Sequence, residues 1–242
     1  MKSARSAQFG QLRARIEATY STPALLVVTS AARGDGKTVT SFGLAESLAA
    51  AQHRVLFVDA NAESPVLARI HHLPAAAHAN VADVSRFAAP VAGQRFEGVS
   101  LAESRFETDL SMDSLRTAVL DMRTHFDFVV VDTAPLVRSD LAVLFSTVAD
   151  GTLLTLRVGR LPQRSDEQTM SSLNRLGSSV IGLLTVEPAM IKTFETERRQ
   201  VAPTIRVPAR PVTSRHTVDA PAARNVMEPG RARVMAETKL VQ

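Results

Sequence analysis

The stretch Ala24-Leu25-Leu26-Val27-Val28-Thr29-Ser30-Ala31-Ala32-Arg33-Gly34-Asp35-Gly36-Lys37-Thr38 decides the fold. Residues 24–29 are short and continuously apolar, as a parallel strand buried on both faces should be. Residues 38–51 are rich in alanine and leucine and predict a helix. A phosphate-binding loop between such elements needs small residues, so that backbone N–H groups turn inward. It also needs a lysine for the β and γ oxygens and a hydroxyl for Mg²⁺. Gly34 and Gly36 supply the turns, Lys37 the cation and Thr38 the hydroxyl. The N-terminus of the following helix points at the same anion. Ala31 stands where the strict G-x-x-x-x-G-K-[ST] pattern has its first glycine. A dinucleotide fingerprint fits poorly, because Val39 occupies the third glycine position and Lys37 sits inside the motif. The candidate nucleotide-holding residues are Ala32, Arg33, Gly34, Asp35, Gly36, Lys37, Thr38 and Val39.

Outward from this loop, apolar strands alternate with helices. Strands are expected over 54–59, 128–132, 151–158 and 180–186, and helices over 112–124, 141–148 and 163–176. Residues 3–18 predict a leading helix, with Phe9, Leu12 and Ile16 on one face. Residues 60–110 are less regular and are expected to carry short helices and excursions over the site. Such alternation predicts an α/β fold with a doubly wound, mainly parallel sheet. Ligands in such sheets bind at the carboxyl ends of the strands. Asp59 and Asp132 each end a strand there. A carboxylate so placed can reach a metal-bound water or polarise an attacking group. Strand-end aspartates also cap following helices. Two of them behind a phosphate loop favour metal and phosphate chemistry, which makes Thr38, Asp59 and Asp132 the candidate Mg²⁺ residues.

The remaining composition bounds the function. With no cysteine among 242 residues, disulfides and thiolate-ligated metals are excluded. Residues 1–18 lack the apolar stretch of a signal peptide, and no apolar run approaches a membrane span, so a cytoplasmic location is expected. Residues 1–186 carry 18 Lys+Arg against 18 Asp+Glu, while 187–242 carry 10 against 6. The net +4 is thus a property of the tail. Beyond Glu187 the periodic pattern fades, and 200–231 read as disordered. The expected organisation is an N-terminal helix over 1–20, a nucleotide-binding domain over 21–190 and a basic tail over 191–242. The tail has no interleaved aromatics, so nucleic acid is not an expected partner. Val226, Met227, Val234, Met235 and Leu240 are a candidate docking segment within it. His71, His72 and His78 read as a surface loop rather than a metal site.

Three motifs in order carry a family resemblance: Thr29 through Thr38, Arg54-Val55-Leu56-Phe57-Val58-Asp59-Ala60-Asn61, and Phe126-Asp127-Phe128-Val129-Val130-Val131-Asp132-Thr133-Ala134-Pro135. Together they resemble the bacterial tyrosine kinases of capsule and exopolysaccharide gene clusters. Those kinases belong to the wider deviant-Walker group of MinD and ParA ATPases. Leu12-Arg13, Pro65, Asp140 and Ala149-Asp150-Gly151 match further elements of the kinase branch. Ala32 or Arg33 stands where MinD and ParA proteins place a signature lysine. The resemblance implies ATP and Mg²⁺ as cofactors, held by Lys37 and Thr38. It implies Asp59 as the catalytic carboxylate and Asp132 as the organiser of magnesium. It also implies phosphoryl transfer to tyrosine, homo-oligomers, and recruitment to the inner membrane face by the cytoplasmic segment of a polysaccharide co-polymerase. Departures are equally specific. Tyr20 is the only tyrosine, so a tail tyrosine cluster is absent. Ala7 and Gly10 replace two charged positions of the leading helix, Arg13 keeping the third. Asn61 replaces an aspartate, Glu63 an arginine and Val186 an asparagine. These departures keep two alternatives open beside the kinase: a MinD/ParA-like ATPase switch and a non-catalytic ATP-binding adaptor.

Overall fold

Every residue of the first strand, Ala24–Ser30, is buried, which is why it reads as an unbroken apolar run with no alternation. Its odd and even positions feed two different cores. Leu26 and Val28 face one side of the sheet, and Leu25 and Val27 the other. The computed structural model describes residues 2–64, 67–68, 72–75, 81–101, 111–161 and 163–201. The described elements are α1 (Lys2–Thr19), β1 (Ala24–Ser30), α2 (Lys37–Ala50), β2 (Val55–Ala60), β3 (Ala89–Pro90), β4 (Glu97–Ser100), α3 (Met112–His125), β5 (Phe128–Thr133), α4 (Asp140–Val148), β6 (Gly151–Arg157), α5 (Arg164–Arg175), β7 (Val180–Val186) and α6 (Pro188–Val201). Short 3₁₀ turns cover Val81–Phe87 and Leu136–Arg138.

The sheet has seven strands in the order β3-β4-β2-β5-β1-β6-β7. All pairings are parallel except β3 with β4. The expected doubly wound, mainly parallel architecture is therefore what the chain adopts. One face is covered by α1, α2 and α6 around Phe42, whose ring centroid lies 5.7 Å from Phe57, 5.2 Å from Phe96 and 5.7 Å from Phe194. The other face is covered by α3 and α4, which bury Leu115, Met122, Leu141 and Phe145. Leu136, Ala142, Leu154 and Leu173 form a smaller cluster beneath α5. Gly43 lets α1 approach α2: a Cβ there would come within 2.2–2.6 Å of the Phe9 ring.

Two regions differ from their reading in the sequence. Within 60–110 lie the two strands β3 and β4, where only short helices and excursions were expected. Glu97-Gly98-Val99-Ser100 is too short and polar to show a strand pattern, and its parallel pairing with β2 defines it. Beyond Glu187 the pattern does not fade: α6 runs on to Val201, across the expected start of the tail at 191. Its Phe194 is 5% exposed and packs in the core. Among its described side chains Met190, Ile191 and Phe194 pack on the core, too few to stand out among the charged neighbours. His71, His78, the segment 202–242 and its candidate docking residues lie outside the described residues. No helix among the described residues is long and apolar enough to cross a membrane.

Candidate functional site

The loop leaving β1 turns through two glycines in the left-handed region, Gly34 at φ 76° and Gly36 at φ 89°. Such angles are open to glycine at little cost and strain other residues. Gly36 is also the N-cap of α2 and has no side chain to satisfy the first-turn amides. Those amides remain for an anion. A Cβ at Gly36 would sit 2.7–2.9 Å from the side-chain carbons of Val186, so the end of β7 closes directly over the loop. Lys37 is buried, its Nζ donating to Ser30 Oγ at 3.0 Å and to Ala32 O at 3.4 Å. Burial lowers its pKa, and the charges of Asp132 and Asp35 oppose that. An ammonium stripped of water and held by its own loop is poised for a phosphate oxygen.

The two strand-end aspartates become neighbours, because β2 and β5 pair with Asp59 opposite Asp132. They are not equivalent. Thr38 Oγ1 donates to Asp132 Oδ2 at 2.7 Å. Asp132 Oδ1 is buried without a hydrogen-bond partner. Burial, and next the charge of Asp59, pushes the Asp132 carboxyl up to about 7; the Thr38 bond and Lys37 pull the other way. Asp59 instead accepts backbone N–H bonds on both oxygens, from Asn61 at 3.2 Å and Ala68 at 2.9 Å. Asn61 in turn accepts from the Ser64 N–H at 3.3 Å. Asp59 therefore organises the turn after β2. A hard divalent cation prefers oxygen ligands. The orphaned Asp132 oxygen beside the Thr38 hydroxyl fits Mg²⁺, with Asp59 one strand away. Among the described residues no group of three or more His, Asp or Glu has metal-ligating geometry, so protein groups would supply few of the ligands. That suits Mg²⁺, which keeps several waters and uses substrate phosphates.

The other expected loop residues take distinct positions. The side chain of Val39 packs in the core, leaving only its backbone for a ligand. The Ala32 N–H is bound by Asp35 Oδ2 at 3.2 Å. The Asp35 carboxylate is fully buried and turned to Arg160 rather than outward. Arg33 is exposed and lies on Glu63, with Nη2 3.1 Å from the Glu63 carbonyl. Glu63 also pairs with Arg138, in the turn that follows β5. Sequence reading missed Arg160 and Arg138, since nothing in the local pattern ties either to the loop. Asp150, from the Ala149-Asp150-Gly151 element, is structural: it accepts from the Leu25 N–H at 2.6 Å and from Arg123 at 2.7 Å.

Known proteins resemble this chain in sequence and in fold. Among curated proteins, the chain is 23% identical to the tyrosine-protein kinase CpsD of Streptococcus agalactiae, over 73% of this chain and 80% of that one. It is 27% identical to the succinoglycan biosynthesis transport protein ExoP of Rhizobium meliloti, over 66% of this chain but only 22% of that longer protein. Among solved structures, the kinase domain of the Escherichia coli tyrosine kinase ETK aligns with a TM-score of 0.62 at 21% identity, covering 75% of each chain. Cobyrinic acid a,c-diamide synthase from Mycobacterium smegmatis, solved with ADP and magnesium, aligns with a TM-score of 0.55 at 18% identity, covering 72% of this chain and 82% of that one. These two likenesses show the fold. The CobQ/CobB/MinD/ParA nucleotide binding domain matches residues 26–197, from inside β1 to inside α6, and the chain belongs to that family.

Proposed function

We propose that this chain binds Mg-ATP and serves exopolysaccharide or capsule biosynthesis as a tyrosine-kinase-family enzyme or regulator. One observation carries the nucleotide reading. An orphaned buried oxygen of Asp132 stands beside the Thr38 hydroxyl, at the base of a loop built on two left-handed glycines. The loop amides and Lys37 would hold the β and γ phosphates. Thr38 and Asp132 would hold Mg²⁺, which neutralises charge on the phosphates during transfer. Asp59 would orient an acceptor hydroxyl. The polysaccharide setting follows from the curated relatives. With it come a cytoplasmic chain, recruitment by a membrane co-polymerase and association between copies.

Asp59 also favours a second reading. Its two oxygens are already committed to backbone N–H groups, and Asn61 beside it carries no charge. A chain of that kind can bind ATP as a switch or adaptor without transferring phosphate. Full-length protein incubated with γ-labelled Mg-ATP, with and without a co-polymerase cytoplasmic segment, separates these readings. Label on protein tyrosine that disappears in Asp59→Asn supports the kinase. Free labelled phosphate supports an ATPase switch, and binding without turnover supports the adaptor. Mg-ATP binding that survives Lys37→Met would sink all three.

A further inference from the structure

We propose that Arg160 is a positioning residue for the nucleotide site, clamping Asp35 of the phosphate loop to Asp166 at the start of α5. The proposal rests on the nucleotide-site reading above and deepens it. Asp35 lies between Gly34 and Gly36, the two residues whose left-handed angles shape the loop. Glycine leaves its own conformation weakly determined. Something beyond local preference must therefore hold this segment before an anion arrives.

The geometry supplies that hold. Arg160 Nε donates to Asp35 Oδ1 at 2.9 Å, and Nη2 donates to Asp35 Oδ2 at 3.2 Å. The same guanidinium donates to Asp166, from Nη2 to Oδ1 at 2.6 Å and from Nη1 to Oδ2 at 3.0 Å. A planar fork of five donors can grip two carboxylates through both oxygens of each, four bonds that the three donors of an ammonium cannot make. The side chains of Arg160 and Asp35 are 7% and 0% exposed. Buried charge-assisted pairs are strong and directional, and breaking one leaves an uncompensated charge. Asp166 is itself fixed: it forms a capping box with Gln163 and accepts the Gln163 N–H at 2.8 Å. Asp35 Oδ2 then accepts the Ala32 N–H. The chain of contacts runs from the N-terminus of α5, through Arg160, to the loop backbone.

Apolar packing does little of this work locally. A cavity of about 410 Å³ opens between α5 and the sheet, with Leu154, Leu156, Met170 and Leu183 in its lining beside Arg160 and Asp166. Met170 and Leu183 are partly open to solvent. At this end of α5 the ion pairs, rather than a filled core, tie the helix to the loop. That distribution makes Arg160 a determinant of loop order and not merely of fold stability.

The test uses the full chain as wild type, Arg160→Lys and Asp166→Asn. Two quantities are read: amide hydrogen exchange of the 31–36 segment, and the Kd for Mg-ADP by calorimetry. Exchange of β2 and β5 reports global stability in the same samples. The expected result for Arg160→Lys is loop exchange at least tenfold faster, core exchange unchanged, and Mg-ADP binding weakened about tenfold. Asp166→Asn, which keeps the Asp35 pair, should show a smaller change in the same direction. Loop exchange and Kd equal to wild type in both folded variants would overturn the proposal. So would loop and core exchange rising together with Kd unchanged, which would mark a structural role alone. A wild-type chain that fails to bind Mg-ADP would overturn the nucleotide-site reading itself, and this proposal with it.

Discussion

Replacing Asp132 by asparagine tests whether the buried carboxyl is a proton store that magnesium displaces. In the folded chain burial and the Asp59 charge raise its pKa from 3.8 to about 7. The folded state therefore keeps a proton that the unfolded state releases near pH 4. This contribution to stability is complete below about pH 4 and is lost as pH rises through about 7. The gap corresponds to about 4 kcal/mol between those limits. Asparagine keeps an amide oxygen for the Thr38 hydroxyl and cannot ionise. Urea unfolding without divalent cations at pH 5, 6, 7 and 8 gives the difference between variant and wild type. The variant should gain on wild type by about 3 kcal/mol between pH 5 and 7 and then level off toward pH 8. Magnesium should narrow that difference by stabilising only the wild type. A difference that stays flat from pH 5 to 8 would refute the raised pKa. A magnesium effect equal in both proteins would refute Asp132 as a ligand.

Three further outcomes follow from named contacts. Gly36→Ala forces a Cβ onto Val186 at a left-handed φ, so it should lose Mg-ADP binding and roughly 1–3 kcal/mol of stability, measured by calorimetry and urea unfolding; unchanged affinity would argue against the loop geometry. Tyr20→Phe should leave tyrosine label on the co-polymerase segment unaffected, and the chain alone should take up none. The Tyr20 hydroxyl abuts Gly151 at the start of β6, whereas the loop begins past Ser30, which pairs four residues farther along the strand, about 13 Å away. Loss of label in this variant would show that the hydroxyl reaches a phosphate donor. Phe194→Ala should cost about 3–5 kcal/mol in urea unfolding, because it empties a ring site against Phe42. A change under 1 kcal/mol would mean that α6 does not belong to the core.

The phosphate loop, β1, β2, β5 and both strand-end aspartates were legible in the sequence for one physical reason. Parallel strands covered on both faces must be apolar at every position, so their ends and the polar residues there stand out. The helices α2, α3, α4 and α5 were legible from composition and from their alternation with the apolar strands, their boundaries matching to within a residue or two. What the sequence could not display are contacts between residues far apart along the chain. Asp59 and Asp132 look alike as strand ends, yet only tertiary register makes them neighbours, binds one to backbone N–H groups and leaves the other with a free oxygen. Strand β4 exists because β2 offers it a ladder, and α6 holds its place through a few apolar contacts such as Phe194. The clamp from Arg160 to Asp35 joins positions 125 residues apart, which no local pattern records. Local sequence sets which backbone shapes are cheap; burial and hydrogen bonding, which exist only once the sheet is assembled, decide which carboxylate keeps an unpaired oxygen.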